Sequence, residues 1–146
     1  MSKNEKKFYL KVGKIVKKQP SFGYKKEDEA YISADFAYLD EDLKKLYLIE
    51  IESDNKAKVS VGEYVLLNML YEYPNEKNGT KKLVDGIYIE NCYFLTILAH
   101  DDNTPERVNN VLNLVKENYG LKMNYMTIRL NSFSSQEEFL NIIKHN

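Results

Sequence analysis

Apolar residues recur at helical spacing between Lys6 and Lys18, where Phe8, Val12, Ile15 and Val16 fall together and Lys11, Lys14 and Lys18 lie elsewhere around the cylinder. This predicts an opening helix, ended by Pro20-Ser21-Phe22-Gly23. The period then shortens. Tyr31 to Leu39 and Leu46 to Glu52 read as strands, and the charged stretch Asp40 to Lys45 between them reads as the turn of a hairpin. A second helix is expected over 60–73, with Ser60 and Glu63 as a capping box and Pro74 as its stop. Apolar residues occupy most of its circumference, which predicts that it is largely buried.

Two further apolar runs, Leu83 to Ile89 and Tyr93 to Ala99, are expected to form strands joined by a tight turn at Glu90-Asn91. Thr104-Pro105-Glu106 opens a helix with an N-cap, a first-position proline and an early acid, and Gly120 closes it just beyond Tyr119. Met123 to Leu130 reads as a last strand. Ser134 with Glu137 is expected to cap a closing helix that buries Phe139, Leu140, Ile142 and Ile143. The order αββαββαβα predicts an α/β (mixed α+β) domain, with a central mixed sheet flanked by helices.

Composition narrows the classes. At 146 residues the chain suits one domain, residues 1–146, with one core. No apolar run is long enough for a membrane span, and no hydrophobic signal core follows Met1 to Lys7, so a cytoplasmic protein without membrane partners is expected. The single cysteine, Cys92, excludes a disulfide framework and a cysteine-based zinc cluster, and its apolar surroundings predict a buried, inert thiol. Asn78-Gly79-Thr80 reads as a plain turn, and His100-Asp101-Asp102 as turn residues before the Thr104 cap. The tyrosines fall mostly within strands and helices, as half-buried aromatics do.

Charge is near balance overall yet uneven along the chain: residues 1–26 carry nine lysines against Glu5, and residues 27–54 carry ten acids against Lys44 and Lys45. A basic arm beside an acidic centre suits a protein that grips a polyanion and presents a cation to it; a solvated helix face followed by a charged loop is the plainer reading. The acids have a pattern. On a strand Glu50 and Glu52 share one face, about 7 Å apart at Cα, while Tyr47, Ile49 and Ile51 face the other way. A closed hairpin brings Asp35 beside Glu50, and carboxylates gathered in this way suit a divalent cation.

These residues resemble the motif of the PD-(D/E)XK superfamily, the restriction-endonuclease-like nucleases, over roughly residues 5–130. Ala34-Asp35 stands where that family has Pro-Asp, Glu50-Ile51-Glu52 where it has (Asp/Glu)-x-Lys, and the helix after the hairpin is in the family's place. The resemblance implies a magnesium- or manganese-dependent DNA endonuclease that hydrolyses phosphodiester bonds with a metal-activated water. Asp35, Glu50 and the carbonyl of Ile51 would hold the ion, and Lys11, Lys14 and Lys18 would grip the DNA backbone. One small domain cuts one strand, so a homodimer is expected.

Glu52 departs from the family's lysine. It implies a general base or a ligand to a second metal, or else that Lys56 or Lys58 reaches back to supply the amine. The alternative is a catalytically degenerate module of the same fold, binding nucleic acid or a protein. An unrelated interaction domain with a solvated acidic hairpin is a third reading. The two arginines, Arg107 and Arg129, are few for reading bases by bidentate contacts, which favours broad sequence preference.

Overall fold

The computed structural model describes residues 1–18, 23–26, 29–54, 56–78, 83–84 and 87–145. Among these, helix α1 (Lys3–Val12) precedes strands β1 (Lys17–Lys18), β2 (Gly23–Lys26), β3 (Glu29–Ser33), β4 (Phe36–Asp40) and β5 (Lys45–Glu52). Helix α2 (Ala57–Asn78), the short strands β6 (Leu83–Val84) and β7 (Ile87–Tyr88), and strand β8 (Asn91–Leu98) follow. The chain continues through α3 (Pro105–Tyr119), β9 (Asn124–Arg129), a 3₁₀ turn (Leu130–Ser132) and α4 (Gln136–Lys144). Five strands form one mixed sheet in the order β1-β4-β5-β8-β9, antiparallel through β5 and parallel from β5 to β9. With four α-helices among the described residues, the architecture is the mixed α/β class expected.

Strand alternation sorts the core into two layers. Leu46, Leu48, Phe94 and Leu98 point to the side of Tyr64 and Leu67 from α2 and Val108 and Leu112 from α3. Tyr47, Ile49, Leu95 and Ile97 point to the side of Phe8 and Val12 from α1 and Phe139 and Ile143 from α4. The parallel pairs exist because α2 and α3 each carry the chain back across one face. The β4–β5 turn is fastened locally: the Asp40 carboxylate accepts the Leu43 N–H at 3.1 Å, and Lys44 takes a left-handed φ of 53°. The Lys44 carbonyl then accepts the Glu90 N–H at 2.9 Å, which ties this turn to the entry of β8.

Several boundaries differ from expectation, each for a local reason. The first helix spans Lys3–Val12 rather than Lys6 to Lys18, because Ser2 and Glu5 form a full capping box ahead of it and Gly13 ends it. The stretch expected as one strand from Tyr31 to Leu39 breaks at Asp35 into β3 and β4. Helix α2 starts at Ala57, so Ser60 lies inside it and is no cap. It also runs through Pro74, expected as its stop, to Asn78. It is not buried all round: Val65 and Leu66 are exposed.

The run from Leu83 to Ile89 folds on itself as the small β6–β7 hairpin, and the next run enters the main sheet parallel to β5 instead of pairing back. The cap of α4 is Ser135 with Glu138 N–H, one residue later than expected, while Ser134 donates to the Glu138 carboxylate. Thr104 and Gly120 cap α3 as read, the latter with φ 61°. Cys92 is buried, and no described helix is long and apolar enough to cross a membrane. The turn expected at Asn78-Gly79-Thr80 lies mostly outside the described residues, and Asn78 itself ends α2.

One aromatic cluster docks α1. Phe8, fully buried, sits with ring centroids 5.1 Å from Phe36, 5.7 Å from Phe139 and 6.1 Å from Phe133. Phe8→Ala should therefore cost about 3–5 kcal/mol, the range for emptying a buried aromatic site. Chemical denaturation checks this. A loss under about 1 kcal/mol would show that α1 is not held by this cluster.

Candidate carboxylate site

The site lies at the carboxyl end of β5, where the antiparallel half of the sheet meets the parallel half. The β4–β5 ladder runs up to the pair Phe36 and Ile49 and stops. At the next position Asp35 turns its side chain in, and its carboxylate accepts the Ile51 N–H at 2.9 Å in place of a ladder bond. The N–H and C=O of one strand residue point to the same side, so the Ile51 carbonyl also faces the edge where Asp35 sits. Glu50 pairs in register with Thr96 and Glu52 with Leu98, both turned toward α2 and only 8% and 6% exposed.

Helix α2 adds a carboxyl that sequence reasoning had assigned elsewhere. Glu63 shares hydrogen bonds with Glu50 and with Glu52, and Glu50 shares one with Asp35. Asp35 also meets Glu5 from the first turn of α1. The acids thus form a row, Asp35–Glu50–Glu63–Glu52, in pairwise contact. Among the described residues no three acid, histidine or cysteine side chains converge on one point as a formed ion site would. No described lysine or arginine forms an ion pair with any of the four.

Burial without a counter-charge penalises the ionised forms. Glu50 is pushed up to about 12, first by desolvation and then by Glu63 and Asp35. Glu63 is pushed up to about 8 by desolvation and by Glu52. The Asp35 carboxyl is also raised, chiefly by burial, against the lowering effect of its bonds to Glu50 and the Ile51 N–H. Glu52 is held differently: one oxygen accepts the Asp54 N–H at 3.0 Å.

The position of α2 is fixed from its far side. The Tyr64 hydroxyl donates to the Met123 carbonyl, while Asn68 accepts the Met123 N–H at 3.0 Å and donates to the Tyr64 carbonyl at 2.8 Å. That clamp ties α2 to the entry of β9 and holds Glu63 over β5.

The remaining residues singled out in the sequence are not gathered here. Lys58 is exposed in the first turn of α2. Lys11 spends two of its three protons on the carbonyls of Leu130 at 2.7 Å and Phe133 at 2.9 Å, tying α1 to the chain after β9. Lys18 lies 4.2 Å over the Tyr9 ring, and Lys14 is exposed. Glu63 was legible in principle: Ser60, Tyr64 and Leu67 fall on one helical stripe, and Glu63 borders it once the helix is started at Ala57.

The raised carboxyls fix the sign of a pH dependence. In the unfolded chain Glu50 and Glu63 ionise near their ordinary value of 4.5, whereas the folded chain keeps their protons to a higher pH. Their stabilising contribution is full below about 4.5 and is lost as pH rises, through about 8 for Glu63 and on toward about 12 for Glu50. The metal-free protein should therefore melt at a lower temperature at pH 8 than at pH 5. Glu50→Gln should raise the pH 8 value and flatten the slope. A melting temperature that climbs between pH 5 and pH 8, measured in the presence of a chelator, contradicts this.

No family model, curated protein or solved structure matches the chain, so what the row can do follows from its own chemistry.

Proposed function

We propose that the protein is a divalent-metal-dependent DNA endonuclease with a restriction-endonuclease-like core, acting in the cytoplasm as a pair of identical chains. The observation that carries this reading is the meeting of Asp35, just before β4, with Glu50 of β5, beside the Ile51 main chain. The arrangement of a helix, a hairpin bearing both acids, a helix packed over it and a parallel strand is in keeping with that core.

The donors fit magnesium or manganese in kind, since every one is an oxygen and two are carboxyls that no described lysine or arginine pairs with. Asp35, Glu50 and the Ile51 carbonyl are the residues that would hold the ion. Such an ion, when bound, supplies Lewis acidity toward a phosphoryl oxygen and lowers the pKa of a water. Glu52 keeps one oxygen on the Asp54 N–H, which orients the other as a proton acceptor in the place where the related motif has lysine. Lys56 and Lys58, both exposed at the start of α2, are the cations nearest to Glu52 in sequence that could approach a phosphate. Lys14 and the third proton of Lys11 are available for phosphate contacts, and Lys18 projects over Tyr9.

A second reading, a binding module of the same fold without catalysis, is favoured by Glu52 itself, because the lysine position holds an acid and no described cation pairs with the row.

Incubation of plasmid and branched DNA with magnesium or manganese separates the two. Cleavage is expected for the wild type, with Glu50→Ala and Asp35→Ala lowering the rate at least about 100-fold, as loss of a group that stabilises transition-state charge does. Activity that survives Glu50→Ala places the chemistry elsewhere. DNA binding without cleavage of any substrate favours the module.

A further inference from the structure

We infer that two copies of the chain pair end to end, the acidic β4–β5 turn of each seating in a basic cleft beside α1 of the other. This rests on the two-chain assembly proposed above, names its interface, and is independent of the chemistry at the carboxylate row. The cleft has a volume of about 400 Å³. Helix α1 supplies Asn4, Lys7 and Leu10 to its walls, and the segments after β8 and β9 supply Ala99, Leu130 and Asn131. Apolar walls with a few polar groups are what a seated side chain needs.

The charge left over in the cleft is positive. No described acid forms an ion pair with Lys7. Lys11 also lines the cleft, and its ammonium is pushed down by burial and by Lys7, against Glu138. Asp101, the acid among the lining residues, already lies 3.8 Å from Arg129 and accepts from the Asn131 amide at 3.4 Å. The turn is the reverse. Glu41 and Asp42 are exposed, and no described lysine or arginine forms an ion pair with either. The neighbouring lysines are engaged elsewhere: Lys44 lies 3.8 Å from Glu90, and Lys45 lies 5.6 Å from the Tyr93 ring centre. Leu43 is 52% exposed, and the bond from its N–H to Asp40 fixes the turn, so docking costs little ordering. A lone exposed leucine is ordinary. Here one stands beside two unpaired acids, and Leu10, 86% exposed, lines the cleft beside an unpaired lysine, so the surfaces match in charge and in apolarity.

The turn cannot enter the cleft of its own chain. It precedes the first residue of β5, whereas the cleft opens past the last: Ala99 follows β8 and donates its N–H to the Glu52 carbonyl at 3.0 Å. The eight residues of β5 put roughly 25 Å between them. A second copy related by a twofold axis runs antiparallel and sets the carboxyl end of one sheet beside the amino end of the other. Both contacts then form at once and the assembly closes. Each contact is small, so an affinity on the order of micromolar is expected. Lys14 and Lys18 do not line this cleft and stay outside the contact.

Analytical ultracentrifugation of the chain over a range of concentrations tests this without reference to cleavage. A reversible dimer is expected, weakened by added salt as a contact between opposite charges is. Leu43→Ser, Lys7→Glu, and Glu41→Lys with Asp42→Lys should each weaken it at least about tenfold. All four positions are exposed, so the variants should keep the wild-type circular dichroism. Lys7→Glu combined with Glu41→Lys and Asp42→Lys exchanges the charges of the two surfaces and should restore most of the lost affinity. Weakening that this combination does not repair overturns the match between turn and cleft. A dimer indifferent to all the variants overturns the inference and spares the two-chain assembly, and species that grow past two chains overturn the twofold closure. A single chain at every concentration overturns inference and assembly together, and leaves the carboxylate row to the cleavage assay.

Discussion

The structure turns on the burial of carboxyl groups with no described lysine or arginine paired to them. Glu50 points into the space between β5 and α2, where water is mostly excluded, beside Asp35 and Glu63 and in register with Thr96 on β8. A single ionised carboxyl in such a place costs several kcal/mol of lost hydration unless it is paired. Here the fold answers by keeping protons on Glu50 and Glu63 to a higher pH. That is a tolerable state for the empty protein and a poor one for stability. An arrangement that gives up stability at one end of the sheet, while the rest of the core is packed with aromatic and aliphatic side chains, is what a ligand-binding end of a sheet requires.

Everything around the row keeps those groups from moving apart. The last ladder pair of the hairpin is Phe36 with Ile49, and both are buried against α1, so the strand ends cannot splay. Asp35 then accepts the Ile51 N–H and serves as the continuation of the ladder by a side chain. On the other face, Tyr64 and Asn68 lock α2 to Met123, which sets the height of Glu63 above β5. Lys11 closes the opposite layer by holding the carbonyls of Leu130 and Phe133 beneath α1. Its own ammonium is lowered by burial and by Lys7, a further sign that it is a partly enclosed tether and no freely solvated charge. The site is thus fixed by elements from both ends of the chain.

What could be read from the sequence and what could not divide along the range of the interaction. Period-two alternation located Glu50 and Glu52 on one face with Tyr47, Ile49 and Ile51 on the other, because alternation is a property of the strand alone. Thr104 and Gly120 were legible for the same reason, since a cap bonds only to its own helix. Glu63 was missed because a local rule offered it a false partner: Ser60 and Glu63 have capping-box spacing, yet the helix had begun three residues earlier. The Ser2–Glu5 box was passed over in a stretch dominated by lysines. The pairing of β8 beside β5 was not legible either. Two apolar runs separated by Glu90-Asn91 satisfy the rule for a hairpin, and only the α2 crossover decides that the second run pairs in parallel with β5.

That parallel pairing is what gives the site its depth. Had β8 returned as the partner of the run before it, Glu50 would stand on an edge strand with solvent beside it and an unremarkable carboxyl. Because β8 lies alongside β5 residue for residue, Thr96 closes one side of Glu50, Asp35 the other, and α2 the top. The carboxyl that keeps its proton to a higher pH is then a result of one topological fact. A carboxyl enclosed in this way, by a strand on each side and a helix above, owes its burial to long-range pairing that no local pattern around Glu50 announces.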